Sequence, residues 1–231
     1  MRQFGTRSTA RRAVIESLGD GMFDIVRCRN CEPSLREAWG GRFREAIADF
    51  RFIPAGSPPH REVPLADAGL RLAMVSAATD RQAGFVVDDR EVRREGPSYT
   101  VLTLSELRAE YADRSLCLIV GMDAFLGLPK WHQWREILQL AHVVVAHRPG
   151  WRAPSMGPLG ELLVDRGTGR VNDLHESVAG RIFIHPVTQL EISSTDLRNL
   201  IAAGRDPRYL MPDPVCDIIR QTGCYSRQPT R

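Results

Sequence analysis

The chain has 231 residues, 43% of them hydrophobic and 26% charged, with a formal net charge of +3. That length and composition suit one globular domain with a sizeable core, and so small a charge surplus gives no argument for a nucleic-acid partner. No apolar run approaches the ~20 residues that span a bilayer, and five cysteines, an odd number and mostly scattered, make no disulfide framework, so a reducing cytoplasm is the expected setting.

Residues 1–12 are rich in Arg, Ser and Thr, lack acids and read as a disordered tail. A single domain is expected over 13–225, followed by a loose tail at 226–231. A weak first strand, interrupted by Glu16 and Ser17, leads to Phe23-Asp24. Residues 50–54 predict a strand, and the spacing of Leu70, Leu72, Ala73, Val75 and Ala78 predicts a helix. Residues 85–87 read as a short strand, and 99–111 as a helix with Leu102, Leu104 and Leu107 apolar. The continuous apolar runs at 116–120 and 142–146 have the character of central parallel strands, covered on both faces. The stretch 148–180, rich in Gly, Pro and Arg with one helical pattern near 159–163, is expected to be a surface insertion. Residues 182–184 read as the last strand and 214–222 as a closing helix. Strands alternating with helices predict parallel βαβ units.

Ligands of open α/β sheets collect beyond the carboxyl ends of the strands. The unusual residues lie in such loops. Ser193, Ser194 and Thr195 stand where a helix should begin, with Leu197, Leu200 and Ile201 on one face and Gly204 and Pro207 beyond its end. Open N–H groups and the helix dipole favour an anion there, and Arg198 one turn in carries a donor fork suited to phosphate. An ordinary capped surface helix is the alternative. His60 and Arg61 follow Pro58-Pro59, which stiffens their loop; they face a polyphosphate or form a plain turn. Gly121 permits close backbone approach, and Asp123 either accepts bonds from a nucleoside or caps the next helix. Ser98, Tyr99 and Thr100 open a helix as an anion site or a simple cap. Trp131 and Trp134, spaced one helical turn apart, stack on a flat ring or belong to the core.

Together these segments resemble the bacterial nicotinate-nucleotide adenylyltransferases over about Gly19 to Tyr225. The resemblance is carried by Phe52-Ile53-Pro54 with Pro58-Pro59-His60-Arg61, by Pro97-Ser98-Tyr99-Thr100 with Thr103-Leu104, by Gly121-Met122-Asp123-Ala124-Phe125 with Leu128-Pro129 and Trp131, by Arg148-Pro149-Gly150, and by Ile192-Ser193-Ser194-Thr195 with Arg198. It implies a Rossmann-like, doubly wound α/β fold with helices on both faces of a parallel sheet. It implies an enzyme of NAD biosynthesis that joins ATP to nicotinate mononucleotide, giving deamido-NAD and pyrophosphate with Mg²⁺ as the only metal. By the same resemblance, His60, Arg61, Ser193, Ser194 and Arg198 hold ATP phosphates, and Gly121 and Asp123 lie at the nucleotide. Ser98, Tyr99 and Thr100 would meet the nicotinate nucleotide, with Trp131 against its ring. Neither nucleic acid nor membrane is an expected partner. Oligomeric state, and preference for nicotinate over nicotinamide mononucleotide, stay open.

The resemblance breaks at the family's G-G-T-F-D-P-x-H-x-G-H motif, which here reads Asp20-Gly21-Met22-Phe23-Asp24-Ile25-Val26-Arg27-Cys28-Arg29-Asn30. Arg27 and Asn30 stand at the two histidines, as the candidate catalytic pair, and Arg29 stands at the glycine. Lost phosphate donors and a bulkier loop lead us to expect turnover lowered by about 10²-fold or more. A nucleotide-binding relative without catalysis, acting as a sensor or interaction protein, is the alternative. The Cys28-x-x-Cys31 pair raises a third reading, a zinc or redox site, although zinc needs about four ligands.

Overall fold

The computed structural model describes residues 49–58, 66–81, 84–147, 153–186 and 194–226, and the backbone of 13–17. Arg27, Asn30, His60, Arg61, Ser193, the Cys28–Cys31 pair, the expected tail at 1–12 and all but Ser226 of the expected tail at 226–231 lie outside the described residues. Seven strands among the described residues form one parallel sheet: β1 (Ala13–Ser17), β2 (Asp49–Ile53), β3 (Phe85–Val87), β4 (Leu116–Gly121), β5 (His142–His147), β6 (Gly167–Thr168) and β7 (Ile182–Pro186). Their order across the sheet is β3-β2-β1-β4-β5-β7-β6, with every neighbouring pair parallel.

The apolar runs explain the middle of this sheet. Residues 116–120 of β4 and 142–145 of β5 are all buried, as central strands covered on both faces must be. Alternation then sorts them. Leu116, Leu118, Val120, Val143 and Val145 face one cluster, under helices α3 (Thr100–Glu110), α4 (Met122–Gly127), α5 (Ile137–Leu140) and α6 (Gly157–Arg166). Cys117, Ile119 and Val144 face the other way, toward Phe183 and Leu174 of α7 (Asp173–Glu176). Helix α1 (Ala68–Thr79) sets Val75 against Phe52 of β2. It also shares a cluster with α8 (Ser194–Ala202) and α9 (Asp213–Thr222). Helices therefore cover both faces, as the doubly wound reading requires.

Segment 153–180 is more than a surface insertion. Leu159 and Leu174 are buried in the two clusters, and Gly167 and Thr168 pair with Ile182 and Phe183 as the outermost strand. A two-residue strand of Gly and Thr has no apolar signature to read, and α7 is too short for a helical period. No helix among the described residues is long and apolar enough to cross a membrane.

Candidate active site

Because all seven strands are parallel, Ile53, Gly121, His147 and Pro186 close their strands at the same, carboxyl end of the sheet. Strand order reverses direction between β1 and β4, and in such sheets the crevice beyond the strand ends at this switch point is where ligands collect. Gly121 leaves room there for a neighbouring side chain. A Cβ on it would stand 2.7 Å from Asp123 Oδ1, so the bare strand end lets that carboxylate fold back over it. Asp123 is exposed within the first turn of α4, where the helix dipole favours its charge.

The turn after β2 is held from two sides. The buried Arg71 of α1 donates to the carbonyls of Ala55 and Gly56, the latter at 2.9 Å. Opposite it, Ser98 Oγ accepts the N–H groups of Gly56 and Ser57, both at 3.0 Å, while its own N–H donates to Ser57 O at 2.9 Å. Against this turn lies α2 (Arg90–Arg93), whose Glu91 carbonyl crowds Gly56 and whose Glu91 carboxylate is buried. Thr103 Oγ1 donates to the same carboxylate at 2.6 Å. Burial pushes the Glu91 carboxyl up, and the bond from Thr103 with nearby Arg94 counters part of that rise.

Ser98 thus carries Tyr99 and Thr100 into the start of α3. The Tyr99 side chain makes no capping bond, and instead stacks on His132 with ring centroids 4.3 Å apart. Trp131 is half-buried beside it in sequence and packs on the core next to Trp134. The two tryptophans do not share an α-helix. Leu128–Lys130 form a 3-10 turn begun by Pro129, Trp131 is extended, and Gln133 has φ 49°. Trp134 N–H still donates to Trp131 O at 3.3 Å, which keeps the two indoles on one turn.

Helix α8 begins at Ser194, as its hydroxyl residues predict. Leu197 and Ile201 bury its apolar face, and Gly204 at φ 70° closes it, with Arg205 N–H donating to Leu200 O. Half-buried Arg198 turns back toward the helix start, where Nη2 donates to Thr195 Oγ1 at 3.2 Å. Tyr225, whose phenol is pushed up by burial, lies within electrostatic reach of both Arg198 and Arg71. Two requirements of a nucleotide crevice, a helix start and a glycine-opened strand end, are therefore met in the described residues.

Comparison with known proteins decides the family. Residues 44–200 match the cytidylyltransferase-like family. A probable nicotinate-nucleotide adenylyltransferase of Aeromonas hydrophila subsp. hydrophila is 44% identical over 207 residues, 89% of this chain and 94% of that one. Its counterpart in Acidithiobacillus ferrooxidans is 48% identical over 181 residues, 78% and 83% of the two chains. The chain belongs to the nicotinate-nucleotide adenylyltransferase family. The fold is also that of a Plasmodium falciparum nicotinic acid mononucleotide adenylyltransferase complexed with NaAD, at TM-score 0.62 and 10% identity over 94% of this chain and 97% of that one.

Family membership gives meaning to three residues that sequence reasoning passed over. Glu91 reads as a surface acid within a charged run, His132 as filler between tryptophans, and Arg71 as the polar face of α1. Only tertiary partners reveal them. Among the described residues, no three His, Cys, Asp or Glu side chains are placed to hold a metal ion.

Proposed function

We propose that this chain transfers the adenylyl group of ATP to nicotinate mononucleotide, giving deamido-NAD and pyrophosphate. Close similarity to curated nicotinate-nucleotide adenylyltransferases over nearly the whole chain carries this reading. The geometry of the crevice agrees with it. A phosphate oxygen of the mononucleotide attacks the α-phosphorus of ATP, a new O–P bond forms, and the bond to the β-phosphate oxygen breaks as pyrophosphate leaves. Such chemistry asks the protein for positioning and charge stabilisation rather than covalent help. The inactive-sensor alternative gains no support from relatives that bear the enzyme's name at this similarity.

The roles follow the two halves of the crevice. Arg198 and the first turn of α8, with Ser193, Ser194, His60 and Arg61, hold the ATP phosphates, where Mg²⁺ enters as part of the nucleotide substrate. Gly121 lets the nucleoside approach the end of β4, and Asp123 accepts a hydrogen bond from it. Thr100 and the open first turn of α3 receive the nicotinate nucleotide, and Trp131 with Tyr99 and His132 forms an aromatic wall for its ring. Ser98 serves this half through the bonds of its hydroxyl. A cytoplasmic setting, where ATP is abundant, fits the substrate. The test is pyrophosphate release on mixing purified protein with ATP, Mg²⁺ and nicotinate mononucleotide, with nicotinamide mononucleotide in parallel. Release with the nicotinate form is expected, and no release with either pyridine nucleotide would overturn the assignment.

A further inference from the structure

One fully buried titratable side chain, His142, stands at the start of β5, at the opposite end of the sheet from the crevice. Its Nδ1 accepts the backbone N–H of Arg181 at 3.0 Å, and its Nε2 lies 3.0 Å from the carbonyl oxygen of Ser177. An amide N–H only donates and a carbonyl only accepts. The two contacts therefore fix the ring as the neutral tautomer with its hydrogen on Nε2. The ladder between β5 and β7 stops at Val143 and Ile182. Val143 N–H donates to Arg181 O at 2.8 Å, and the next amide back, that of Arg181, goes to the imidazole instead of to backbone. One side chain thus ties both ends of segment 177–181, the connection between α7 and β7, to β5.

We propose that His142 is a pH-sensitive latch on this connection, closed while its ring is neutral. A second proton would go to Nδ1, turning the acceptor of the Arg181 amide into a donor aimed at another donor. The surroundings offer such a charge little. Beside the ring in register is the buried thiol of Cys117 on β4. On the same face, α7 carries Asp173, His175 and Glu176; Asp173 is already bound by Arg170 and Thr168, and Glu176 is exposed. The Arg181 side chain is exposed. From the other face, Arg108 Nη2 donates to Val178 O at 2.7 Å, and Arg166 Nη1 lies beside Gly180. An imidazolium here would face mainly cations. With the segment open and the ring in water, histidine takes up its proton near pH ~6.5. The closed form is therefore favoured above that pH and yields as pH falls below it. Ser115 Oγ still holds Leu174 O at 2.6 Å, so the loosening is local to 177–181.

The test follows the full chain by NMR from about pH 8 to about pH 5, a window that leaves most carboxylates ionised. Ring ¹⁵N shifts report the tautomer of His142, and amide exchange, corrected for its intrinsic pH dependence, reports the protection of Arg181. The comparison variant is His142→Asn, whose Oδ1 takes the place of Nδ1 and accepts from the Arg181 amide without titrating. Near pH 8 the ring should carry its hydrogen on Nε2 alone. Across the window, protection at Arg181 should fall by about ten-fold or more, since a buried donor loses its acceptor. Amides of β4 should keep their protection, and in His142→Asn the Arg181 amide should keep its own throughout. A ring protonated at Nδ1 near pH 8 would overturn the latch. So would constant protection at Arg181, an equal loss in His142→Asn, or a loss shared by β4. The ring shifts, the pH profile and the β4 control need only the unaltered chain, so they decide the matter even if the variant does not fold.

Discussion

At the scale of single residues, the crevice separates charge from ring. Arg198 lies in the first turns of α8 with its guanidinium turned toward the helix start, so its donors and the open backbone N–H groups can address one anion. Arg198→Ala should weaken ATP binding by about 1.5–3 kcal/mol, the range for a hydrogen bond to a charged group. Nicotinate mononucleotide binding should change far less, and titration calorimetry with each ligand checks the difference. Equal losses would mark general destabilisation instead. Trp131→Ala should show the opposite preference, raising KM for the pyridine nucleotide with ATP little affected. Aromatic contact is worth about 0.5–1.5 kcal/mol beyond area burial. Trp131 is half-buried against the core, so the thermal midpoint must be followed alongside. Unfolding of the variant at working temperature, without a selective change in KM, would mark the indole as core.

At the scale of elements, a charged network ties β2 and the end of β3 to α2 and α3, beside the apolar clusters that pack the helices on the sheet. Asp88, just past β3, is buried and accepts from Arg51 of β2 at 2.9 Å and from Arg90 of α2 at 2.8 Å. Arg90 reaches on to Glu110 of α3. Burial alone would raise the Asp88 carboxyl, but the bonds from Arg90 and Arg51 outweigh it and hold it below the usual range. An unfolded aspartate takes up its proton near pH ~4. The stabilisation from Asp88 is therefore complete above that pH and is lost as pH falls toward the lower folded value. Asp88→Asn should cost about 1.5–3 kcal/mol at pH 7 and flatten the acid limb below pH ~4, as urea unfolding across a pH series would reveal. An unchanged acid limb would mean that other carboxylates control it. This network also marks where the sequence stops being legible. Strands β4 and β5 announce themselves by continuous apolar runs, and α8 by its hydroxyl start and glycine stop. Asp88, Glu91 and Arg71 carry no such mark, because a charged residue reads as surface until its partners are known. The amides that Ser98 binds lie 41 and 42 positions away in sequence.

At the scale of the whole molecule, strand order reverses between β1 and β4, and the sequence departs from the family pattern at residues 20–30, outside the described residues. The match to the cytidylyltransferase-like family begins at residue 44, after Arg27 and Asn30. In the family pattern, two histidines and a glycine at this place address the ATP phosphates, and Arg27, Arg29 and Asn30 offer one fixed charge, one bulky side chain and one neutral amide instead. Restoring the pattern tests what that exchange costs. The combined change Arg27→His, Arg29→Gly and Asn30→His returns two phosphate-directed donors and lets the backbone approach the nucleotide. Turnover should rise by about 10²-fold or more, since losing one donor to a developing charge already costs that much. Affinity for ATP should improve less if, as proposed, Arg27 already supplies positive charge and Arg198 addresses the phosphates. Stopped-time assays of pyrophosphate release, with ATP and nicotinate mononucleotide each varied, separate the two effects. Equal turnover in the unaltered and restored chains would show that Arg27 and Asn30 are competent in the histidine positions. Turnover absent from both would point away from the side chains and toward the first strand, where Glu16 and Ser17 stand in a position that a parallel sheet fills with apolar residues.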